Sequence, residues 1–186
     1  MKKYFILCLV ALFPFSAFAS DDWTWLRSYK GKSTNQLMLD KKFKNFLNNQ
    51  IPIFSADFGM ARNNKKTSLV EVTELTLGGP PDLITLPTET TLTAAACREH
   101  SCEEKAFFWA NLGEKKSVIA IVHHIFQGKF AEGPQLFLAS RSYECKDLPK
   151  EALKQLSLWL KSKNISPKMS RCLHLQSLTE PYVRSL

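Results

Sequence analysis

The chain has 186 residues, 45% of them hydrophobic and 23% charged, with a formal net charge of +8. The length fits one domain with a real core, and no repeat, low-complexity tract or linker divides it. Residues 1–19 read as a secretory signal: Lys2 and Lys3 form a positive start, Tyr4 to Phe15 an apolar run, and Ala17-Phe18-Ala19 a small-residue cleavage site. The apolar run, broken by Pro14, is short beside the roughly 20 residues of a spanning helix, so no membrane span is expected. Cleavage after Ala19 would leave 167 residues, 20–186, as a single domain with a charge of +6, because only Lys2 and Lys3 are lost. Nucleic acid is not an expected partner of an exported chain, despite the basic balance.

In chain order, Trp23, Trp25 and Leu26 are expected to pack at the start of the domain. A helix is predicted from Thr34 to about Asn49, capped by Ser33 or Thr34, with Leu39, Phe43, Phe46 and Leu47 as its apolar stripe. Ile51-Pro52 ends it, and Lys41, Lys42 and Lys44 form its cationic outer side. Residues 59–67, with Gly59, Arg62, Asn63, Asn64, Lys65 and Lys66, read as an exposed basic turn. Strands are predicted over Ser68–Leu77 and, after Gly78-Gly79-Pro80-Pro81, over Leu83–Ala96, Lys105–Leu112, Ser117–Phe126 and Gln135–Ser140. Short connections such as Gly113 to Lys116 favour antiparallel pairing. A second helix is predicted over Leu148–Lys163, with Asp147 as cap, Pro149 in its first turn, and Leu153, Leu156, Trp159 and Leu160 facing the core. Helix, strands, helix is an α+β order: an antiparallel sheet with helices packed on one face.

Four cysteines follow the signal, Cys97, Cys102, Cys145 and Cys172, and an even count in an exported chain points to disulfides with three pairings open. Cys97-Arg98-Glu99-His100-Ser101-Cys102 falls between two predicted strands, at one end of the sheet. If these two cysteines are oxidised, the four residues between them must bulge outward and present His100 stiffly. Such a small ring stabilises by only about 2 kcal/mol, so its value lies in holding a shape before binding. Phe107, Phe108 and Trp109 read as core. His123 and His124 are adjacent on a strand and point to opposite faces, so they do not chelate one ion. The cysteine spacing matches neither a zinc pair nor an oxidoreductase motif. No metal or cofactor is expected, and no Ser-His-Asp order or phosphate loop suggests an enzyme.

Ala96 to Cys102 resembles the Cys-x-x-His-x-Cys loop of the inhibitor of vertebrate lysozyme family, periplasmic proteins of Gram-negative bacteria. The order of elements over roughly residues 30–163 is also similar. The resemblance implies a periplasmic location, the pairings Cys97–Cys102 and Cys145–Cys172, and His100 as the residue inserted between the catalytic carboxylates of a c-type lysozyme. It implies an inhibitor and not an enzyme, with a homodimer as a further expectation. Residues 167–186 have no counterpart and read as a C-terminal extension reattached through Cys172.

Glu99 and Ser101 stand where proline and aspartate are associated with that loop. The first change loosens the backbone and the second removes an acceptor. With the +6 charge, which opposes a cationic lysozyme at long range, they support an alternative: an inhibitor-fold binding protein acting on a lytic transglycosylase or an anionic envelope ligand.

Overall fold

The structure, a computed structural model, describes residues 22–60, 65–180 and 182. The expected signal at 1–19 therefore lies outside the described residues, as do Arg62, Asn63 and Asn64 of the basic turn. A 3-10 turn over Trp23–Tyr29 starts where Asp22 accepts a bond from the Thr24 N–H at 3.0 Å. It buries Trp23 and Leu26, and Trp23 meets Phe46 edge-on with centroids 4.7 Å apart.

The single helix expected over 34–49 is two, α1 (Thr34–Met38) and α2 (Lys41–Gln50). Asp40 makes the break: its carboxylate accepts from the Lys42 N–H at 2.7 Å and caps α2. Leu39 falls at the break and is 82% exposed, so it leaves the apolar stripe, while Phe43, Phe46 and Leu47 are buried.

After the two-residue strands β1 (Ser55–Ala56) and β2 (Thr67–Ser68), a strand was expected over 68–77, yet the chain forms α3 (Leu69–Leu77). Ser68 Oγ accepts from the Glu71 N–H at 3.2 Å, an N-terminal cap with Glu three residues on. Thr73 and Thr76 donate to the carbonyls of Leu69 and Val72, each at 2.7 Å, so their hydroxyls are satisfied within the helix.

A seven-stranded sheet follows in sequence order: β3 (Thr85–Thr88), β4 (Thr91–Arg98), β5 (Ser101–Asn111), β6 (Lys116–Phe126), β7 (Lys129–Ser140), β8 (Met169–His174) and β9 (Ser177–Thr179). Every neighbouring pair is antiparallel except β7 and β8. A parallel pair needs a crossover, which α4 (Lys150–Ser162) supplies.

The helices lie on both faces of this sheet, and this corrects the one-face expectation. Ala94, Ala106, Phe108, Ile119, Ile121 and Phe137 join α1, α2 and α3 in one core, whereas Ala95, Phe107, Trp109, Val118, Leu136 and Leu138 join α4 in another. The reason is in β5 and β6: their side chains are apolar toward both faces, so each face needs a cover.

Within the C-terminal extension, β8 and β9 form one edge of the sheet. Cys172 in β8 is bonded to Cys145, ahead of α4, so the disulfide closes the crossover. Tyr182 is buried in the α4 core and its hydroxyl donates to the Cys145 carbonyl at 2.7 Å. None of the described helices is long and apolar enough to cross a membrane.

Candidate functional site

The continuous buried apolar run of β4, Ala94 to Cys97, ends at Arg98, and the chain turns at Glu99 and His100 before β5 begins. Arg98 pairs with Ser101, but the next pair is Cys97 with Lys105, so residues 102–104 form an irregular bulge on the returning strand. His100 adopts φ +60°, a left-handed conformation that costs a non-glycine residue roughly 1–2 kcal/mol. Its side chain is 91% exposed and that of Glu99 76%, with Nε2 of His100 3.6 Å from the Glu99 carboxylate.

Several groups hold this turn. Cys97 and Cys102 are disulfide-bonded, with their Cα atoms 4.8 Å apart. Arg98 Nη1 donates to Glu104 Oε2 at 2.6 Å, and both side chains are largely shielded. The Cys97 N–H donates to the Pro80 carbonyl at 3.1 Å, and the Asp82 N–H to the Ala95 carbonyl at 2.8 Å, so segment 79–82 backs the end of β4. Gly79 lies so close that a Cβ there would overlap the Cys97 carbonyl oxygen and the Glu99 nitrogen. Asp82 is itself held from α4, by Trp159 Nε1 at 3.2 Å and by Lys163 Nζ at 2.6 Å. Burial, and then the Lys163 ammonium, hold Lys105 below the ordinary lysine value, against the opposing pull of Glu103 and Asp82.

The predicted loop residues are thus together at one exposed turn, and Cys145 and Cys172 form a separate disulfide. Sequence reasoning missed three supports. Arg98 and Glu104 are an opposite-charge pair flanking the turn, a signal that was present. Gly79 and Pro80 were read only as punctuation, and Asp82 carried no signal at all.

His123 and His124 do not join the turn. His123 is fully buried, with Nδ1 3.0 Å from the Ile125 carbonyl and its ring edge-on to Phe58 at 5.3 Å. Burial pushes its pKa down to about 4. Among the described residues, no group of three or more His, Cys, Asp or Glu side chains is placed to hold a metal ion.

No family model, curated protein or solved structure matches this chain.

Proposed function

We propose that the chain is an exported, periplasmic inhibitor of c-type lysozyme that inserts the His100 turn into the glycosidase cleft. The carrying observation is the combination at one residue: His100 is 91% exposed, yet its turn is held by a disulfide and by the Arg98–Glu104 pair. A rigid tip loses little freedom on association, so more of its contact energy survives as affinity. The turn is narrow because only Glu99 and His100 lie between the paired residues Arg98 and Ser101.

Retaining glycosidases of this type carry two carboxyl groups about 5–5.5 Å apart, one protonated as general acid and the other ionised. An imidazole has two ring nitrogens and can bond to both carboxyls at once. A bond to the ionised partner is roughly twice as strong as a neutral one. With His100 between them, the sugar is excluded and the acid cannot deliver its proton. No covalent bond is made, so the chain acts as a plug and not as a catalyst.

The test is clearance of a cell-wall suspension by a c-type lysozyme in the presence of the purified chain or its His100→Ala variant. Dose-dependent protection that collapses in the variant supports the plug. No protection at micromolar protein sinks it.

A second reading is favoured by one observation. Arg27, Lys30, Lys32, Lys41, Lys42 and Lys44 are all exposed, and none takes part in a salt bridge among the described residues. Such a surface suits an anionic envelope ligand, whose binding would weaken steeply with salt. A lytic transglycosylase, with a single catalytic Glu, is the alternative protein target.

A further inference from the structure

One rung of the sheet runs from Cys97 through Lys105, Val122 and Leu136 to Ser170. Beyond it β5 and β6 cease to pair, and the sheet splits into two arms. One arm is the His100 turn. The other is the β6–β7 hairpin, in which Ile125 pairs with Phe130 and Phe126 with Lys129. His100 lies three residues past the rung, and so does Ile125, the partner of Phe130. At about 3.3 Å per extended residue, with Glu99-His100 turning after the Arg98–Ser101 pair, His100 stands roughly 7 Å and Phe130 up to roughly 10 Å beyond it, and two to three strand spacings of about 4.8 Å separate them.

The second arm is as well supported as the first. Its turn, Gln127-Gly128, has positive φ at both residues, +52° and +71°, the geometry that matches the twist of a two-residue hairpin. Gly59 lies directly against it, where a Cβ would overlap the Ile125 side chain, and the Gly128 N–H donates to the Asp57 carbonyl at 3.4 Å. At its base the Lys168 N–H donates to the Pro134 carbonyl at 2.8 Å. On this braced arm Phe130 is 80% exposed. A large aromatic ring held in water on a stiff hairpin is the kind of side chain that anchors protein interfaces.

We infer that the Phe130 arm is a second docking element for the same cleft-bearing glycosidase. While His100 occupies the cleft, Phe130 would rest on an apolar patch of the rim outside it. The inference rests on the reading of His100 as a plug. His100 and Phe130 share one end of the sheet, so a lysozyme-sized protein seated on His100 would reach a position some 10–15 Å to the side.

The experiment is surface-immobilised binding of a c-type lysozyme by the purified chain and by its His100→Ala, Phe130→Ala and doubly substituted variants, with thermal unfolding and size-exclusion elution of each. Phe130 is exposed and belongs to neither core, so Phe130→Ala is expected to keep the parent unfolding temperature. It should raise Kd about tenfold or more, chiefly through faster dissociation. The two single effects should multiply in the double variant, as for separated sites. Parent-like affinity of Phe130→Ala, with His100→Ala weakened, overturns the second arm and leaves the plug standing. A parent chain that does not bind overturns both. Unchanged lysozyme affinity with a later elution of Phe130→Ala would assign the ring to self-association and also overturn the inference.

Discussion

Arg98 and Glu104 close the neck of the exposed turn, with Nη1 of one 2.6 Å from Oε2 of the other. Glu104 is 8% exposed although it lies on the outer bulge of β5. Replacing it by Gln keeps the shape and removes the charge, at an expected stability loss of about 1–3 kcal/mol. Denaturant unfolding of Glu104→Gln measures this. An unchanged midpoint would show that the pair is a bystander, and a lowered midpoint should come with weaker lysozyme protection.

Gly79→Ala tests the support from behind. The added methyl has no room beside the Cys97 carbonyl and the Glu99 nitrogen, both of which are backbone and cannot swing aside. The variant should lose roughly 1–3 kcal/mol and shift the His100 turn. Amide chemical shifts over residues 97–102 report the displacement; a spectrum superimposable on the parent's contradicts it.

The two disulfides should differ in worth. In the chain-entropy account the Cys97–Cys102 ring, with a separation of 5, contributes about 2 kcal/mol. The Cys145–Cys172 loop, with a separation of 27, contributes about 3–4 kcal/mol. Paired Cys→Ala substitutions should therefore differ in their effects: losing the first costs less stability but impairs lysozyme protection, while losing the second costs more stability and leaves protection by the folded chain intact. Equal unfolding midpoints for the two double variants would contradict this division.

His123 makes stability depend on acid. Its folded pKa of about 4 lies below the ordinary value near 6.5 that it regains on unfolding. Above pH 6.5 both states are neutral and no proton is exchanged. Between 6.5 and 4 the unfolded chain takes a proton that the folded one refuses, so stability falls by up to about 1.4 kcal/mol per pH unit, and by about 3 kcal/mol in all. His123→Leu should flatten that window in urea titrations run from pH 7 to pH 4. An equally steep loss in the variant would place the acid sensitivity elsewhere.

Parts of this architecture were legible because their signals were local. The predicted helix at 148–163 corresponds to α4, Lys150–Ser162, whose apolar spacing and Pro149 mark it plainly. The strand at 117–126 stands within a residue of β6, while the one at 105–112 ends beside the end of β5 but misses its first four residues, which return from the His100 turn. Where two local signals compete, capping outweighs propensity. In 69–77 the β-branched residues argued for a strand, but the Ser68 and Glu71 pattern at its start was the deciding feature. Asp40, read as part of a helix, is a cap. The strand predicted over 135–140 starts earlier, because β7 passes through Gly133 and Pro134 as the irregular stretch between the Gln135 and Phe130 pairings. The place of β8 beside β7 depends on a crossover and a disulfide between distant residues, and nothing local encodes it. At the site, the His100 turn was visible as cysteine spacing, while its supports at Gly79 and Asp82 come from another segment and were not.

The sheet ends in β3, four residues with Pro87 among them, and β9, three residues long. Pro87 has no N–H to offer, and a three-residue strand presents too little backbone to template another chain. Strand-by-strand growth into fibrils is therefore blunted at both margins. At high protein concentration, edge-to-edge joining of two such sheets is disfavoured.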